Sequence, residues 1–375
     1  MATPADLPRV AFVAGTLGRG GAERQLYYQL KALVAAGASP VVASLASDEH
    51  WEAPIRELGV EVLSFEREHS TIARVRALAW QLRKHRPQIV QSAHFYTNLY
   101  ASAVARLLRV PEIGAIRSDT LWALRELGRA GTASLRVPRH LAINSRAALA
   151  QAAALGVHGA RLSYLPNVVD VDAFAPSPMR KSQLSLLDVG RLEPVKRHDR
   201  FLRVVRRAVD ELPQLDIRAT IVGEGPDGPE LMRQADSLGI TDRVTFLTDA
   251  PMDRVYQSAS MLVLTSDNEG TPNVVLEALS AALPVAAFSV GGVPEIITSD
   301  EVGLLIRPAD EDAMAVAVIA LCRDRALREE MGARARRYVE QSRSPDALAR
   351  HLRTLYRRAS PQRSVRRSTD RGRAA

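Results

Sequence analysis

Cysteine is almost missing from this sequence. Cys322 is the single one in 375 residues, which excludes intrachain disulfides and any zinc or iron–sulfur site that needs several thiolates. Long apolar runs are missing as well. The longest, Ala313 to Cys322, is about half of the roughly 20 residues a helix needs to cross a bilayer. Met1 to Val10 lacks the basic-then-apolar pattern of a secretory leader. A membrane channel is excluded, and a cytoplasmic protein is expected. Aromatics make up 5% of the chain, and no aromatic-rich basic β-surface or zinc pattern accompanies the net charge of +8, so no nucleic-acid partner is expected. Lysine is scarce too: 4 of the 50 basic residues, a skew ascribed to codon usage. Arginine count alone therefore supports no argument.

Hydrophobic residues at 46% and charged residues at 25% are ordinary for a globular protein. The length favours two domains, each with its own core. The charge is uneven: residues 1–175 carry +6, residues 176–352 carry −5 and the last 23 carry +7. A basic first half beside an acidic second half suggests different partners for the two, with an anionic surface near the first.

Short β-rich apolar runs alternate with helical-period segments, the pattern of βα units wound into a parallel sheet. In the first unit, Val10 to Thr16 reads as a buried strand, Leu17 to Gly21 as a glycine loop and Ala22 to Ala36 as a helix stopped by Gly37. Strands are expected again at Val41 to Leu45, Val60 to Phe65, Gln88 to His94, Ile113 to Arg117, Leu141 to Asn144 and Leu162 to Leu165. Two prolines and two serines in Ala173 to Ser182 mark a linker. The rhythm then restarts, with strands at Leu184 to Val189, Ile217 to Val222, Val244 to Leu247, Met261 to Leu264 and Val285 to Phe288. The expected division is a first domain over 1–172, a linker over 173–183, a second domain over 184–343, a helix over 344–359 and a disordered basic tail over 360–375. Open parallel sheets bind ligands at the carboxyl ends of their strands, so two facing sheets create a cleft.

Four signals fall on that cleft. The strongest is the segment from Ser266 through Glu269, Gly270, Thr271, Pro272, Asn273 and Val274 to Glu277. Thr271 suits an N-cap and Pro272 a first helical position, so a helix is expected from there to about Ala282. Free amides at Gly270, Thr271, Asn273 and Val274 would favour anionic groups or acceptor oxygens. Two carboxylates at that spacing suit the hydroxyls of a sugar or ribose; the plainer alternative is that Glu269 only neutralises the helix dipole and Glu277 is solvated. The second signal is Gly190-Arg191 to Lys196, two cations at a strand end poised for a diphosphate, or simply a surface pair. Third is the loop Gly18-Arg19-Gly20-Gly21, which permits close backbone approach but lacks the spacing of a dinucleotide fingerprint. Fourth is His94, at a strand end, which taken alone is a structural histidine.

Together these residues resemble the family 4 retaining glycosyltransferases of the two-domain GT-B fold, over essentially Val10 to Arg358. The resemblance is carried by Glu269 and Glu277 within E-G-x-P-N-x-x-x-E, and by G-G-A-E at Gly20 to Glu23. Pro166-Asn167, V-G-R-x-x-x-x-K at Val189 to Lys196 and V-G-x-G-P at Val222 to Pro226 reinforce it. Two positions depart from the family: Val168 and Ala282 stand where glycine is common.

The resemblance implies an α/β fold of two doubly wound Rossmann-like domains facing a cleft, with the C-terminal helix returning toward the first domain. It implies a hexosyltransferase in which Arg191 and Lys196 hold the diphosphate of a nucleotide-sugar donor, Glu277 the ribose and Glu269 the donor sugar. His94 would face that sugar. Gly20, Gly21, Gly223, Gly270, Thr271, Asn273 and Val274 would complete the donor pocket, with the loops at Gly223 to Pro226 and Phe246 to Thr248 beside the base. Neither cofactor nor metal is implied. UDP is preferred to GDP, and the acceptor would be a lipid-linked saccharide or glycan precursor of cell-surface polysaccharide or glycolipid synthesis. A nucleotide-sugar epimerase or hydrolase is the alternative on the same fold, whereas a nicotinamide dehydrogenase would need an acidic residue where Leu45-Ala46-Ser47 stand.

Thr71 to Arg86 adds a membrane expectation. Ile72, Val75, Ala79 and Leu82 would form a buried face, with Arg76, Trp80, Arg83 and Lys84 as a neighbouring stripe; Trp122, Arg125 and Arg129 repeat the combination. Tryptophan beside cations suits an anionic membrane surface, with the protein peripheral on the inner face. A buried Trp80 is the competing expectation.

Overall fold

The structure is a computed structural model describing residues 7–65, 70–117, 120–176 and 183–360, without the side chains of residues 120–123, 125 and 126. Most of the second half of the expected linker and the basic tail beyond Ser360 lie outside the described residues.

The first sheet contains β1 (Val10–Ala14), β2 (Val41–Ser44), β3 (Glu61–Ser64), β4 (Ile89–Ser92), β5 (Glu112–Ile116), β6 (His140–Ile143) and β7 (Leu162–Tyr164). Its helices are α1 (Gly21–Ala35), α2 (Glu52–Glu57), α3 (Thr71–Arg83), α4 (Asn98–Leu108), α5 (Thr120–Arg136) and α6 (Arg146–Ala154). The second sheet contains β8 (Leu184–Val189), β9 (Ile217–Val222), β10 (Val244–Leu247), β11 (Met261–Leu264), β12 (Val285–Phe288) and β13 (Leu304–Ile306). With it go α7 (His198–Glu211), α8 (Gly228–Ser237), α9 (Met252–Ser258), α10 (Asn273–Ser280), α11 (Glu311–Arg323), α12 (Arg325–Ser342) and α13 (Pro345–Ala359).

Strand order is β3-β2-β1-β4-β5-β6-β7 in one sheet and β10-β9-β8-β11-β12-β13 in the other, with parallel neighbours throughout. Parallel strands need crossover helices, which cover both faces, so the central strands are apolar at consecutive positions rather than alternately. In β1, Val10, Phe12 and Ala14 pack toward α1 and α13, while Ala11 and Val13 join the layer of α3 and α4. One continuous core fills the second domain, with Phe201, Tyr256 and Phe288 among its largest side chains.

Leu348, Leu352, Leu355 and Tyr356 recur at helical spacing on α13 and are buried in the first domain's core. The helix thus follows the second sheet in sequence but returns to the first domain, as expected, and the Tyr356 hydroxyl donates to Gln91 Oε1 at 2.9 Å.

Three expectations need correction. Strand β13 was not anticipated, because Leu304–Ile306 is too short to show a period. Helix α10 begins at Asn273, not Pro272: Pro272 has φ −71° and ψ 117°, outside the helix, and the Thr271 hydroxyl donates to Asn144 O at 3.1 Å instead of capping. Ile72 is 69% exposed rather than on the buried face of α3, which holds Leu78, Ala79 and Leu82. Trp80 is exposed, in keeping with its place in the stripe beside Arg76, Arg83 and Lys84 and against the competing core position. Ala282, where glycine is common, has φ +56°, a left-handed conformation that costs a side-chain-bearing residue roughly 1–2 kcal/mol.

Candidate active site

Both sheets reverse their winding beside the first strand, between β1 and β4 and between β8 and β11. Loops leaving the carboxyl ends at such a reversal diverge and open a crevice. Arg19, Gly20 and Gly21 after β1 face Gly190, Arg191 and Lys196 after β8 and Asn268 to Asn273 after β11, and between them lies a cleft of about 900 Å³.

On the second-domain wall, the Lys196 ammonium lies 2.7 Å from Glu269 Oε1, and the Ser266 hydroxyl donates to the same carboxylate at 2.7 Å. Glu269 is buried. It therefore does more than balance a helix dipole: it holds the lysine, which is mostly covered, in a fixed place. Arg191 is 70% exposed and paired with Glu193 at 2.7 Å, free to swing toward a ligand. Both cations line the cleft, as do Gly20, Gly21, Gly270, Thr271, Asn273, Val274 and Glu277. The amides of the first turn of α10 have no partner within that helix and are available at this wall.

Glu277 is buried, contrary to the alternative of a solvated carboxylate. Tyr256 donates to its Oε2 at 2.9 Å, and Arg24 of the first domain pairs with its Oε1. The Glu277 charge holds the Arg24 guanidinium well above its usual range, and burial together with that carboxylate pushes up the Tyr256 phenol. Further contacts close the cleft. Asn273 Nδ2 donates to Gly21 O at 3.0 Å, and Asn167 Nδ2 donates to Thr271 O at 3.0 Å. Glu295 accepts from the Arg146 and Ala147 amides at 2.8 and 2.9 Å, so the second domain caps α6 of the first.

His94 is not on the cleft wall. Its Nε2 donates to Glu23 Oε1 at 2.9 Å while its Nδ1 accepts the Gly15 amide at 3.2 Å. Both ring nitrogens are committed to shaping the loop after β1, where a side chain on Gly15 would collide with Tyr96 and one on Gly20 with Glu23. Gly223 also lies behind the wall, because a Cβ there would come within 1.8 Å of Gly190 O. The loop Gly223 to Pro226 supports the Gly190–Lys196 turn, and Asp249 to Met252 line the cleft beyond Phe246 to Thr248.

Three positioning elements escaped the sequence reading. Gly291 and Gly292 permit a backbone approach to Glu269 O and Gly270 O that a side chain would block, and the Gly292 amide donates to Gly270 O at 2.7 Å. Arg24 follows the G-G-A-E loop, but only the fold reveals its partner across the cleft. His198, at the start of α7, is buried. Its Nδ1 faces Asp188 Oδ2 at 2.7 Å and its Nε2 faces Arg191 O at 3.1 Å.

With an acceptor at each nitrogen, His198 can donate to both only as an imidazolium, the form this geometry favours. Burial opposes that charge, but Asp188 and the Arg191 carbonyl outweigh burial and the nearby Lys196, and the pKa is raised. The stability gained is complete below the unfolded value of about 6.5 and is lost as pH rises through the folded value. The melting-temperature gap between wild type and His198→Gln should shrink as pH is raised above neutrality. A gap that stays constant between about pH 6 and pH 9 would show that this histidine is neutral in the fold.

Two parallel sheets whose switch points face one crevice lined by cations and by the start of a helix have the geometry in which open α/β sheets take up anionic ligands. Profiles of two glycosyltransferase groups match the sequence in succession: Glycosyltransferase Family 4 over residues 19–173 and Glycosyl transferases group 1 over residues 172–338. The chain belongs to this family of GT-B glycosyltransferases. Among its relatives, the D-inositol 3-phosphate glycosyltransferase of Streptomyces avermitilis is 35% identical over 193 residues, 46% of this chain and 41% of that protein. The GDP-mannose-dependent alpha-(1-6)-phosphatidylinositol monomannoside mannosyltransferase of Mycobacterium tuberculosis is 33% identical over 218 residues, 52% of this chain and 55% of that protein. The chain spans about half the length of these relatives. In fold it is similar to Anabaena Alr3699/HepE in complex with UDP and glucose, with TM-score 0.82 at 18% identity, covering 94% of this chain and 100% of that one. TarM superposes with TM-score 0.79 at 12% identity, covering 95% and 100%.

Proposed function

We propose that this chain is a retaining glycosyltransferase that moves a sugar from a nucleotide-sugar donor, UDP- in preference to GDP-, to an acceptor held on the first domain. The observation that carries this reading is the joining of Lys196, Glu269 and Glu277 on one cleft wall. A lipid-linked saccharide or glycan precursor is the acceptor it favours.

Breaking the bond between the anomeric carbon and the donor phosphate builds negative charge on the leaving diphosphate. Arg191, Lys196 and the amides opening α10 would stabilise that charge in a closed cleft. With these cations in the role of a magnesium ion, the reaction needs no metal. Retention would follow from attack on the face the diphosphate leaves, with a leaving phosphate oxygen taking the acceptor proton. The tethering of both carboxylates supports this route over a protein nucleophile: Glu269 is bonded to Lys196 and Ser266, and Glu277 to Arg24 and Tyr256. Glu277 would accept from the ribose hydroxyls and Glu269 from the donor sugar.

The base remains a matter for binding, since a structural neighbour was crystallised with UDP and a sequence relative is GDP-mannose-dependent. A thermal-shift panel of UDP, GDP, ADP and their sugars should single out UDP, because a ligand bound only by the folded state raises apparent stability. A uniform response would remove the donor reading. Sugar transferred to an added acceptor, with activity surviving EDTA, separates this enzyme from a metal-dependent one and from the epimerase or hydrolase alternative.

Peripheral docking on the inner face of the membrane belongs to the same proposal. No described helix is long and apolar enough to cross a membrane, but α3 presents Ile72, Arg76, Trp80, Arg83 and Lys84 to solvent. Lys84 Nζ sits 4.4 Å from the centre of the Trp80 ring. Arg129 is exposed, whereas the side chains of Trp122 and Arg125 lie outside the described residues. Each cation near an anionic surface adds about 1 kcal/mol, so co-sedimentation with anionic vesicles should fall with salt and with the pair Arg83→Glu and Lys84→Glu. Equal recovery on neutral vesicles would sink electrostatic docking.

A further inference from the structure

Arg117, Asn144 and Asn167 follow β5, β6 and β7, so they stand at the carboxyl ends of three adjacent strands on the first-domain side of the cleft. None of the groups assigned to the donor comes from these strands. Arg117 is only partly exposed, and among the described residues no carboxylate pairs with it. The one hydrogen bond its guanidinium makes there runs from NH1 to Leu165 O at 3.3 Å. Burial pulls its pKa down to about 10, against a smaller opposing influence of Tyr356. A part-buried guanidinium facing an open cleft, with most of its N–H groups unused, is costly unless an anion completes it.

The two asparagines give the same indication independently. Asn144 and Asn167 are 1% and 4% exposed. Their amide nitrogens are used, Asn144 Nδ2 on Arg117 O at 3.2 Å and Asn167 Nδ2 on Thr271 O at 3.0 Å. Their Oδ1 atoms have no partner among the described residues. A buried acceptor oxygen left unmade costs about 1–3 kcal/mol, and because both asparagines line the cleft, a small turn of each side chain would bring its oxygen to a ligand hydroxyl. Thr271 touches both residues through its hydroxyl and carbonyl, two positions from Glu269. The cluster therefore borders the place assigned to the transferred sugar.

We infer that Arg117, Asn144 and Asn167 form the acceptor subsite, and that the acceptor is a hydroxyl-bearing molecule carrying an anionic phosphate or carboxylate bound by Arg117. The inference rests on the glycosyltransferase reading. The Arg117 fork engages two anionic oxygens, the asparagine oxygens orient the hydroxyls, and the attacking hydroxyl is presented toward Glu269. A neutral glycan would leave the guanidinium without a counter-charge.

The test uses the full chain saturated with UDP, so that Arg191 and Lys196 are occupied. Calorimetry compares glycerol 3-phosphate with glycerol and glucuronate with glucose, and flotation, with Arg83→Glu and Lys84→Glu present throughout to remove docking through α3, compares phosphatidylglycerol with phosphatidylcholine vesicles. In at least one pair the anionic member should bind tenfold or more tightly, and Arg117→Gln should abolish that preference while leaving UDP affinity intact. The pair that responds tells a soluble phosphate, a carboxylate and a lipid headgroup apart. Arg117→Lys, which keeps the charge without the fork, should lie between the two and serves if the glutamine variant misfolds. No anionic preference in wild type, or a preference untouched in both variants, overturns the subsite. Failure of wild type to bind UDP would instead overturn the donor reading.

Discussion

Lys196→Ala should lower turnover about 10²-fold or more while the fold survives, by analogy with the loss of one preorganised charge-stabilising group. The structure sharpens this expectation. Lys196 is held at 2.7 Å by Glu269 and is 21% exposed, whereas Arg191 is 70% exposed and, among the described residues, paired with Glu193. The lysine is thus in place before the donor arrives and the arginine must move to meet it. Removing Lys196 also leaves Glu269 buried without its counter-charge, close to where the diphosphate would lie, so repulsion adds to the lost attraction. Arg191→Ala should cost less. Because Lys196 and Glu269 act as a pair, Lys196→Ala combined with Glu269→Gln should lose less than the two single losses multiplied. Steady-state rates of the four proteins decide it: strictly multiplicative losses would mean that the pair does not function as a unit.

Glu277→Gln should weaken nucleotide binding by roughly 10-fold or more, the size expected when charge-assisted hydrogen bonds worth about 1.5–3 kcal/mol are replaced by neutral ones. A ribose contact at Glu277 would be alike in ground and transition state, so the loss should appear in KM and Kd more than in kcat. Glu269→Gln should show the opposite split, because hydrogen bonds to the transferring sugar tighten as it distorts. Glu277 has a second duty, since Arg24 crosses from the first domain to reach it. The same substitution should therefore loosen the two domains, and Arg24→Ala should destabilise the protein by stranding a buried carboxylate. Titration of UDP into Glu277→Gln gives the answer: wild-type affinity would dismiss the ribose role.

Much of the fold was legible because parallel βα units write their structure locally. β8 to β12 fall where the apolar runs ended, and the strands of the first sheet are displaced by one or two residues. β13 was illegible because three residues show no period. The start of α10 was misplaced because Thr271, an adequate cap by propensity, found a better partner in the Asn144 carbonyl, which no local rule contains. Ile72 shows the same limit in reverse, since an apolar residue on an amphipathic helix is assigned to the buried face until packing shows which face is covered.

The site divides along the same line. The sequence by itself determined the two-sheet architecture, the cleft at the strand ends and the residues Arg191, Lys196, Glu269 and Glu277 that line it, because glycine turns and charged strand ends are local features. Only the tertiary structure decided their electrostatic partners. It tied Lys196 to Glu269 across 73 positions and Arg24 to Glu277 across 253. It also withdrew His94 and Gly223 behind the wall and left Arg117, Asn144 and Asn167 with unspent hydrogen-bonding capacity. The physical reason is that burial and pairing depend on which groups meet in space, and the separation of those groups along the chain carries no record of it.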